Sequence, residues 1–216
     1  GRRHRMAVNI TYARNVSHDR IYFAEPLRML GGAVEPPRFN LRNELMVRKE
    51  ELGELLSREE GKPLAEGIGE VHRSAQFFHY YAAEVLRQMG ETAASVRPGI
   101  DIEVHREPVG VVGIITPWNF PMATAAWKIA PALAFGNAVV FKPANLVPAS
   151  AWALTEIISR QPLPAGTFNL VMGSGSVVGE SLIQSADIDA LTFTGSLQTG
   201  RRVAVATAGN LVRCQL

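Results

Sequence analysis

One cysteine in 216 residues, Cys214, excludes an internal disulfide framework and any metal site built from several thiolates. No apolar run reaches the roughly 18 residues that a membrane-spanning helix needs. Neither sign of charge dominates: 22 Lys and Arg face 20 Asp and Glu, and a net charge of +2 makes no field that would gather nucleic acid or a membrane surface. No succession of charged, apolar and small residues of the secretory type opens the chain. These absences predict a cytoplasmic setting with no nucleic-acid and no membrane partner. Arg2, Arg3 and Arg5 form a local basic cluster that reads as a frayed or vector-derived chain end, not a binding arm. What is present, 47% hydrophobic and 19% charged residues, suits a globular core of ordinary size.

Two regimes follow each other. Residues 1–39 are irregular, broken by Pro26, Gly31, Gly32, Pro36 and Pro37, and a junction or deletion is read over Gly31 to Pro37. Residues 40–90 are helical. One helix is expected from Asn40, with Leu41, Leu45, Leu52 and Leu55 on one side and an end at Gly61-Lys62-Pro63. A second carries Ile68, Val71, Ala75, Phe78, Ala82, Val85 and Met89 on one stripe, a packing face. Residues 91–107 form a β-ribbon turning at Pro98-Gly99, where Ile100, Ile102 and Val104 alternate with Asp101, Glu103 and His105 as in a strand with one wet face.

From residue 108 to 216 apolar strands alternate with helices. Strands are expected over Val109–Ile115, Ala138–Phe141, Phe168–Met172, Ala190–Phe193 and Leu211–Leu216. Helices are expected over Met122–Phe135, Pro148–Ser159, a short stretch to Ser185, and from Gly195 to about Ala208. Strands apolar throughout and separated by helices mean a parallel sheet covered on both faces. The fold class is therefore α/β, with a doubly wound, Rossmann-like sheet. Ligands of such sheets bind beyond the carboxyl ends of the strands. Those ends carry Thr116-Pro117-Trp118-Asn119, Lys142-Pro143-Ala144-Asn145, Gly173-Ser174-Gly175 and Thr194-Gly195-Ser196. The run Gly173 to Gly179 is one residue too long for a dinucleotide fingerprint. Gly195 and Ser196 stand better placed, because free amides at a helix start stabilise phosphate. Lys142 reads either as a snorkelling strand-end lysine or as a donor to ribose or phosphate. Asn119, in the loop bracketed by Pro117 and Pro121, reads either as a satisfied turn residue or as an oxyanion donor.

Glu107-Pro108-Val109-Gly110-Val111-Val112-Gly113, Thr116-Pro117-Trp118-Asn119-Phe120-Pro121 and Trp127-Lys128-Ile129-Ala130-Pro131-Ala132-Leu133 resemble the aldehyde dehydrogenase superfamily. The continuation through Gly136-Asn137, Lys142-Pro143-Ala144, Pro164-Ala165-Gly166 and Phe193-Thr194-Gly195-Ser196 keeps that order, and the likeness runs from about Asn43 to Leu216. Its nearest flavour is the semialdehyde-oxidising branch. The resemblance implies oxidation of a small-molecule aldehyde to a carboxylic acid with NAD or NADP, in a homo-oligomer. Asn119 is similar to the asparagine that stabilises the oxyanion. Ile115, Thr116, Pro117 and Trp118 resemble the lining of the nicotinamide half, and Lys142, with Ala144 and Asn145 beside it, the ribose contacts. Gly175, Gly195, Ser196 and Thr199 resemble contacts on the adenine and pyrophosphate side. Phe120 and Trp127 resemble walls of the aldehyde tunnel. Asn145 departs from the pattern: many NAD-preferring members carry a glutamate there, and a neutral amide leaves NADP admissible.

The family reaction also needs a cysteine thiolate and a glutamate-activated water. Cys214 is expected to be a buried, inert strand residue and not the nucleophile. Nucleophile, general base and catalytic domain are expected beyond Leu216, so the chain reads as a truncated cofactor-domain portion, inactive alone, whose last strand leaves an unfinished edge. A non-catalytic nucleotide-binding or assembly fragment is the rival reading. A dehydrogenase of ordinary dinucleotide fold would want a G-x-G-x-x-G after the first strand of the sheet, and Val109 to Asn119 has none.

Overall fold

A computed structural model describes residues 40–87 and 90–216. The irregular segment expected over 1–39, and Met89 at the end of the second helix, lie outside these residues. Helix α1 (Leu41–Val47) is capped by Asn40, whose side chain accepts from the N–H groups of Arg42 and Asn43. The single helix expected from Asn40 to Gly61 is instead two, α1 and α2 (Lys49–Glu60), with a break at Arg48. The Arg48 guanidinium pairs with Glu44, Glu51 and Glu156, so carboxylates from three helices hold the break. α2 ends where Gly61 takes the left-handed φ of 83°. Helix α3 (Leu64–Glu84) follows, burying Val71, Ala75 and Phe78 as its stripe predicts. Its approach to α2 is close: a Cβ on Gly67 would stand 2.4 Å from the carbonyl oxygen of Gly53.

Strands β1 (Glu91–Ala94) and β2 (Asp101–Val104) form an antiparallel hairpin in which Glu91 faces Val104. The expected dry face is missing. Every residue of the two strands is exposed except a half-buried Val104, because no other described element packs closely on the hairpin.

The remaining strands, β3 (Val111–Ile115), β4 (Ala138–Lys142), β5 (Phe168–Leu170), β6 (Ala190–Phe193) and β7 (Arg213–Gln215), make one parallel sheet in the order β5-β4-β3-β6-β7. This is the doubly wound order, with its reversal at β3 and β6. Alternate residues point to opposite faces. Val112, Ile114, Val139 and Phe141 pack under α4 (Pro121–Ala134) and α5 (Pro148–Ser159), and α1 to α3 pack outside these. Val111, Ile115, Val140, Leu191 and Phe193 meet Leu182 and Ile183 of α6 (Glu180–Gln184) and Val203 of α7 (Leu197–Gly209). The short helix expected before Ser185 is a π-helical turn, Gly175–Gly179, running into α6.

Cys214 corrects a sequence expectation. It lies on β7 opposite Leu191, but it is exposed, not buried. Among the described residues β7 pairs on one side only, and burial of its residues needs a neighbour on the other.

Both α4 and α5 begin with proline after an apolar N-cap, Phe120 and Val147, that offers no side-chain acceptor. For α5 the acceptor is Glu59 of α2, which receives the Ala149 N–H at 2.6 Å and the Ser150 N–H at 2.9 Å. Removing it by Glu59→Ala is expected to cost about 1 kcal/mol of unfolding free energy, the usual worth of an N-terminal cap. Urea denaturation checks this, and a loss no larger than for an exposed surface glutamate would sink the capping account.

Candidate functional site

Parallel pairing brings the strand ends into line. Ile115 is in register with Lys142 on one side and Phe193 on the other. Beyond them the Thr116 N–H donates to the Lys142 carbonyl at 3.3 Å and the Thr194 N–H to the Ile115 carbonyl at 3.0 Å. The Val171 N–H reaches the Phe141 carbonyl at 2.9 Å. The four loops singled out from sequence therefore leave the same end of the sheet. The strand order reverses between β3 and β6, so the loops 116–120 and 194–196 flank the crevice where doubly wound sheets take ligands.

Several polar groups at this end are buried. Lys142 is only 3% exposed; its Nζ donates to the Pro143 carbonyl at 2.8 Å, and burial pulls its pKa below the ordinary lysine value. Its stem lies along Gly179, with Cδ and Cε 3.7 Å from where a Cβ would be. Thr116 is buried, and its hydroxyl has no hydrogen-bond partner among the described residues. Ala144 is half-buried and Asn145 exposed. Gly175 opens the π-helical turn, which Ser174 caps by accepting the Val177 N–H. Gly195 has Phe193 beneath it, so a Cβ there would meet the ring at 2.5 Å. Ser196 caps α7 by accepting the Thr199 N–H at 3.3 Å, and its hydroxyl lies 3.0 Å from that of Thr199.

The loop Thr116 to Pro121 is held from behind. The Asn119 carbonyl accepts from Lys62 Nζ at 3.2 Å, whereas its side chain is exposed and makes no hydrogen bond among the described residues. Phe120 is half-exposed, with Lys62 Nζ 4.3 Å from its ring centroid. Trp127, two turns along α4, is 60% exposed and stacks on Phe77 of α3 with ring centroids 5.7 Å apart. Trp118 is half-exposed and borders a cavity of about 250 Å³ with Glu59, Glu60, Leu146 and Val147. Among the described residues no group of three His, Cys, Asp or Glu could hold a metal ion, and no helix is long and apolar enough to cross a membrane.

Sequence reasoning missed three charged residues here. From sequence, Lys62 reads only as part of the Gly61-Lys62-Pro63 helix end. Glu70 stands four residues before Ser74 and eight before Phe78, on the buried side of α3, and that spacing was the available signal. Lys128 lies within the Trp127–Leu133 run, whose pattern assigns it no role. Its Nζ donates to Thr192 Oγ1 at 2.7 Å, that hydroxyl donates to Gln215 Oε1 at 2.8 Å, and burial lowers the Lys128 pKa to about 8.

The aldehyde dehydrogenase family model matches residues 39–216. The chain belongs to that family. It is 42% identical over 172 residues to the mitochondrial succinate-semialdehyde dehydrogenase of Arabidopsis thaliana, covering 80% of this chain and 33% of the relative. Identity is 41% over 174 residues to the alpha-ketoglutarate semialdehyde dehydrogenase of Haloferax volcanii, covering 80% and 36%. The fold superposes on betaine aldehyde dehydrogenase from Staphylococcus aureus, solved in complex with NAD+, with a TM-score of 0.79 and 34% identity, over 81% of this chain and 35% of that one. The chain therefore spans about a third of the length of the relatives it matches.

Lys128 supplies a pH test of the site's burial. Unfolded, it keeps the ordinary value of 10.5; folded, its value is about 8. Between those values the folded chain releases a proton that the unfolded chain retains, so this group adds stability as pH rises through that window. Below it both states are protonated and the burial cost is borne in full. The unfolding free energy of the wild type minus that of Lys128→Met should therefore climb across the window. A difference that stays flat would mean Lys128 is not desolvated.

Proposed function

We propose that this chain is the cofactor-domain portion of an NAD(P)-dependent aldehyde dehydrogenase, acting on a semialdehyde, with Asn119 as its oxyanion donor. The observation that carries the reading is the exposed, uncommitted Asn119 amide on a loop whose main chain is held by Lys62. An amide fixed in that way meets developing negative charge without reorganising, which is what stabilises the oxygen of an aldehyde under attack. Phe120 and Trp127, both half-exposed or more, form the apolar walls beside it. The semialdehyde class is drawn from the relatives' names.

The residues at the strand ends fit a dinucleotide. Thr116 offers a buried hydroxyl without a partner, Lys142 a buried ammonium, and the first turn of α7 amides that no helix residue can accept. Bound there, the nicotinamide ring supplies a hydride acceptor. Ile115, Thr116, Pro117 and Trp118 line that half of the site. Lys142 donates to ribose hydroxyls, with Ala144 and Asn145 at its side. Gly195, Ser196 and Thr199 present the start of α7 to the pyrophosphate, and Gly175 lies toward the adenine. The neutral Asn145 neither repels nor attracts a 2′-phosphate, so both NAD and NADP are accepted.

Cys214 is not the nucleophile on this reading. It sits on β7 beside Leu191, two residues short of the strand end at Phe193 where the site lies. The thiolate and the general-base carboxylate come from residues outside this chain, which alone is inactive. The proposed organisation has a helical part over 40–90, the ribbon over 91–107 as an oligomer contact, and the cofactor domain from 108. The exposed hairpin and the open β7 edge also suit a second reading, a nucleotide-binding assembly fragment, and both readings share the cofactor site.

A thermal-shift titration with NAD and, separately, NADP tests the reading. Each should raise the unfolding midpoint as its concentration passes the dissociation constant. Asn145→Glu should weaken the NADP response by about tenfold or more through charge repulsion and leave the NAD response in place. No shift with either at millimolar concentration would remove the cofactor role.

A further inference from the structure

The first turn of α4 cannot be satisfied by its own entry segment. Phe120 occupies the N-cap and has no acceptor, and Pro121 follows at the first helical position. Met122 is fully buried, so its N–H has no access to water. The acceptor arrives from α3: Glu70 Oε1 receives the Met122 N–H at 2.8 Å and the Ala123 N–H at 2.9 Å. The Glu70 side chain is wholly buried, and its other oxygen accepts from Lys62 Nζ. Lys62 in turn donates to the Asn119 carbonyl and covers the Phe120 ring. A carboxylate and an ammonium thus grip three main-chain groups on either side of Phe120 and Pro121.

Helix capping alone does not account for this arrangement. α5 begins in the same way, and Glu59 caps it through Ala149, Ser150 and the Ser150 hydroxyl, without a cation reaching back past the N-cap. At α4 the extra member, Lys62, holds the main chain of Asn119, whose side chain makes no hydrogen bond among the described residues. The charge cost is also high. Glu60, 3% exposed at its side chain, crowds Lys62 as well, and neither of its oxygens makes a hydrogen bond. Two buried carboxylates face one ammonium, and the positive end of α4 offsets part of the excess.

We propose that Glu70 and Lys62 are positioning residues that aim the Asn119 amide by fixing the main chain on both sides of it. The inference rests on the oxyanion role given to Asn119 above. Lys62 holds the Asn119 carbonyl, Glu70 holds the turn that follows, and the side chain between them is left a narrow range of directions.

The test follows nitrogen-labelled full chain by magnetic resonance and amide hydrogen exchange, in the wild type, Lys62→Met, Lys62→Arg, Glu70→Gln and Glu59→Gln. Lys62→Met should leave exchange at Met122 and Ala123 close to wild type, because Glu70 still caps them, and yet shift or broaden the Asn119 side-chain and Trp118 indole signals. Lys62→Arg should restore both. Glu70→Gln should raise exchange at Met122 and Ala123 by about tenfold, as the loss of a charged cap does, and disturb Asn119 too. Glu59→Gln should alter only the start of α5. Each of Lys62→Met and Glu70→Gln removes one link, so loss of fold in either leaves the other to decide. Unchanged Asn119 signals in Lys62→Met, or exchange raised evenly through β3 and β4, overturn the proposal. The wild-type NAD titration separates the two layers: a cofactor response with unmoved Asn119 signals removes the grip alone. Responsive Asn119 signals without cofactor binding uphold the grip and remove the enzymatic reading.

Discussion

Parallel strand pairing is the constraint on which the rest of this molecule depends. Strands that all point one way need a crossover between each pair, so the end where strands finish is also the end where helices begin. Helix starts carry unsatisfied N–H groups and partial positive charge. The sheet therefore gathers several anion-seeking ends into one place and must then dispose of most of them. It does so with carboxylates from the outer helical layer. Glu70 takes the start of α4 and Glu59 the start of α5. The start of α7 is capped only by its own Ser196, through a single N–H. Of the three, α7 is thus left with amides to spare, and this supports placing a pyrophosphate there and not at the others.

The same economy of space governs the strand ends. Gly195 lies over the Phe193 ring, and Gly179 lies along the Lys142 stem, so main chain is brought down onto buried side chains. Neither glycine is conspicuous as a motif. Their contribution is to keep the crest low, with Lys142 sealed beneath the π-helical turn and its ammonium facing the Pro143 carbonyl.

The sheet was legible in the sequence because its signals are local. Pro121 and Pro148 mark helix starts, the left-handed Gly136 a helix end, and the central strands β3 and β4 carry the apolar runs Val111–Ile115 and Ala138–Phe141. What was not legible depends on partners far along the chain. The break at Arg48 has no glycine or proline to announce it; it is held by Glu156, 108 residues away. A glutamate on a helix reads as solvated, and only the 52-residue reach from Glu70 to Met122 makes it a cap. Cys214 was expected to be buried because strands of such sheets usually are, but an edge strand gains burial only from a neighbour. At Asn119 the sequence left two readings open. The structure adds only that its side chain makes no hydrogen bond among the described residues, a fact that no pattern of neighbours in the sequence announces.

On the proposed reading, the two residues that differ most at the β4 end divide the work of cofactor choice. Lys142 is buried, its ammonium is tied to a carbonyl, and desolvation pulls its pKa down. A cation so confined acts as a directed donor to hydroxyls and cannot swing out to neutralise a phosphate. Asn145 is exposed and neutral, so it withdraws the repulsion that a carboxylate would impose without replacing it by attraction. Favouring a 2′-phosphate would take a mobile surface cation at this strand end, and from Pro143 to Ser150 the sequence has no lysine or arginine. The balance is therefore tolerance of NADP and not a preference for it, since removing a barrier adds no binding energy of its own.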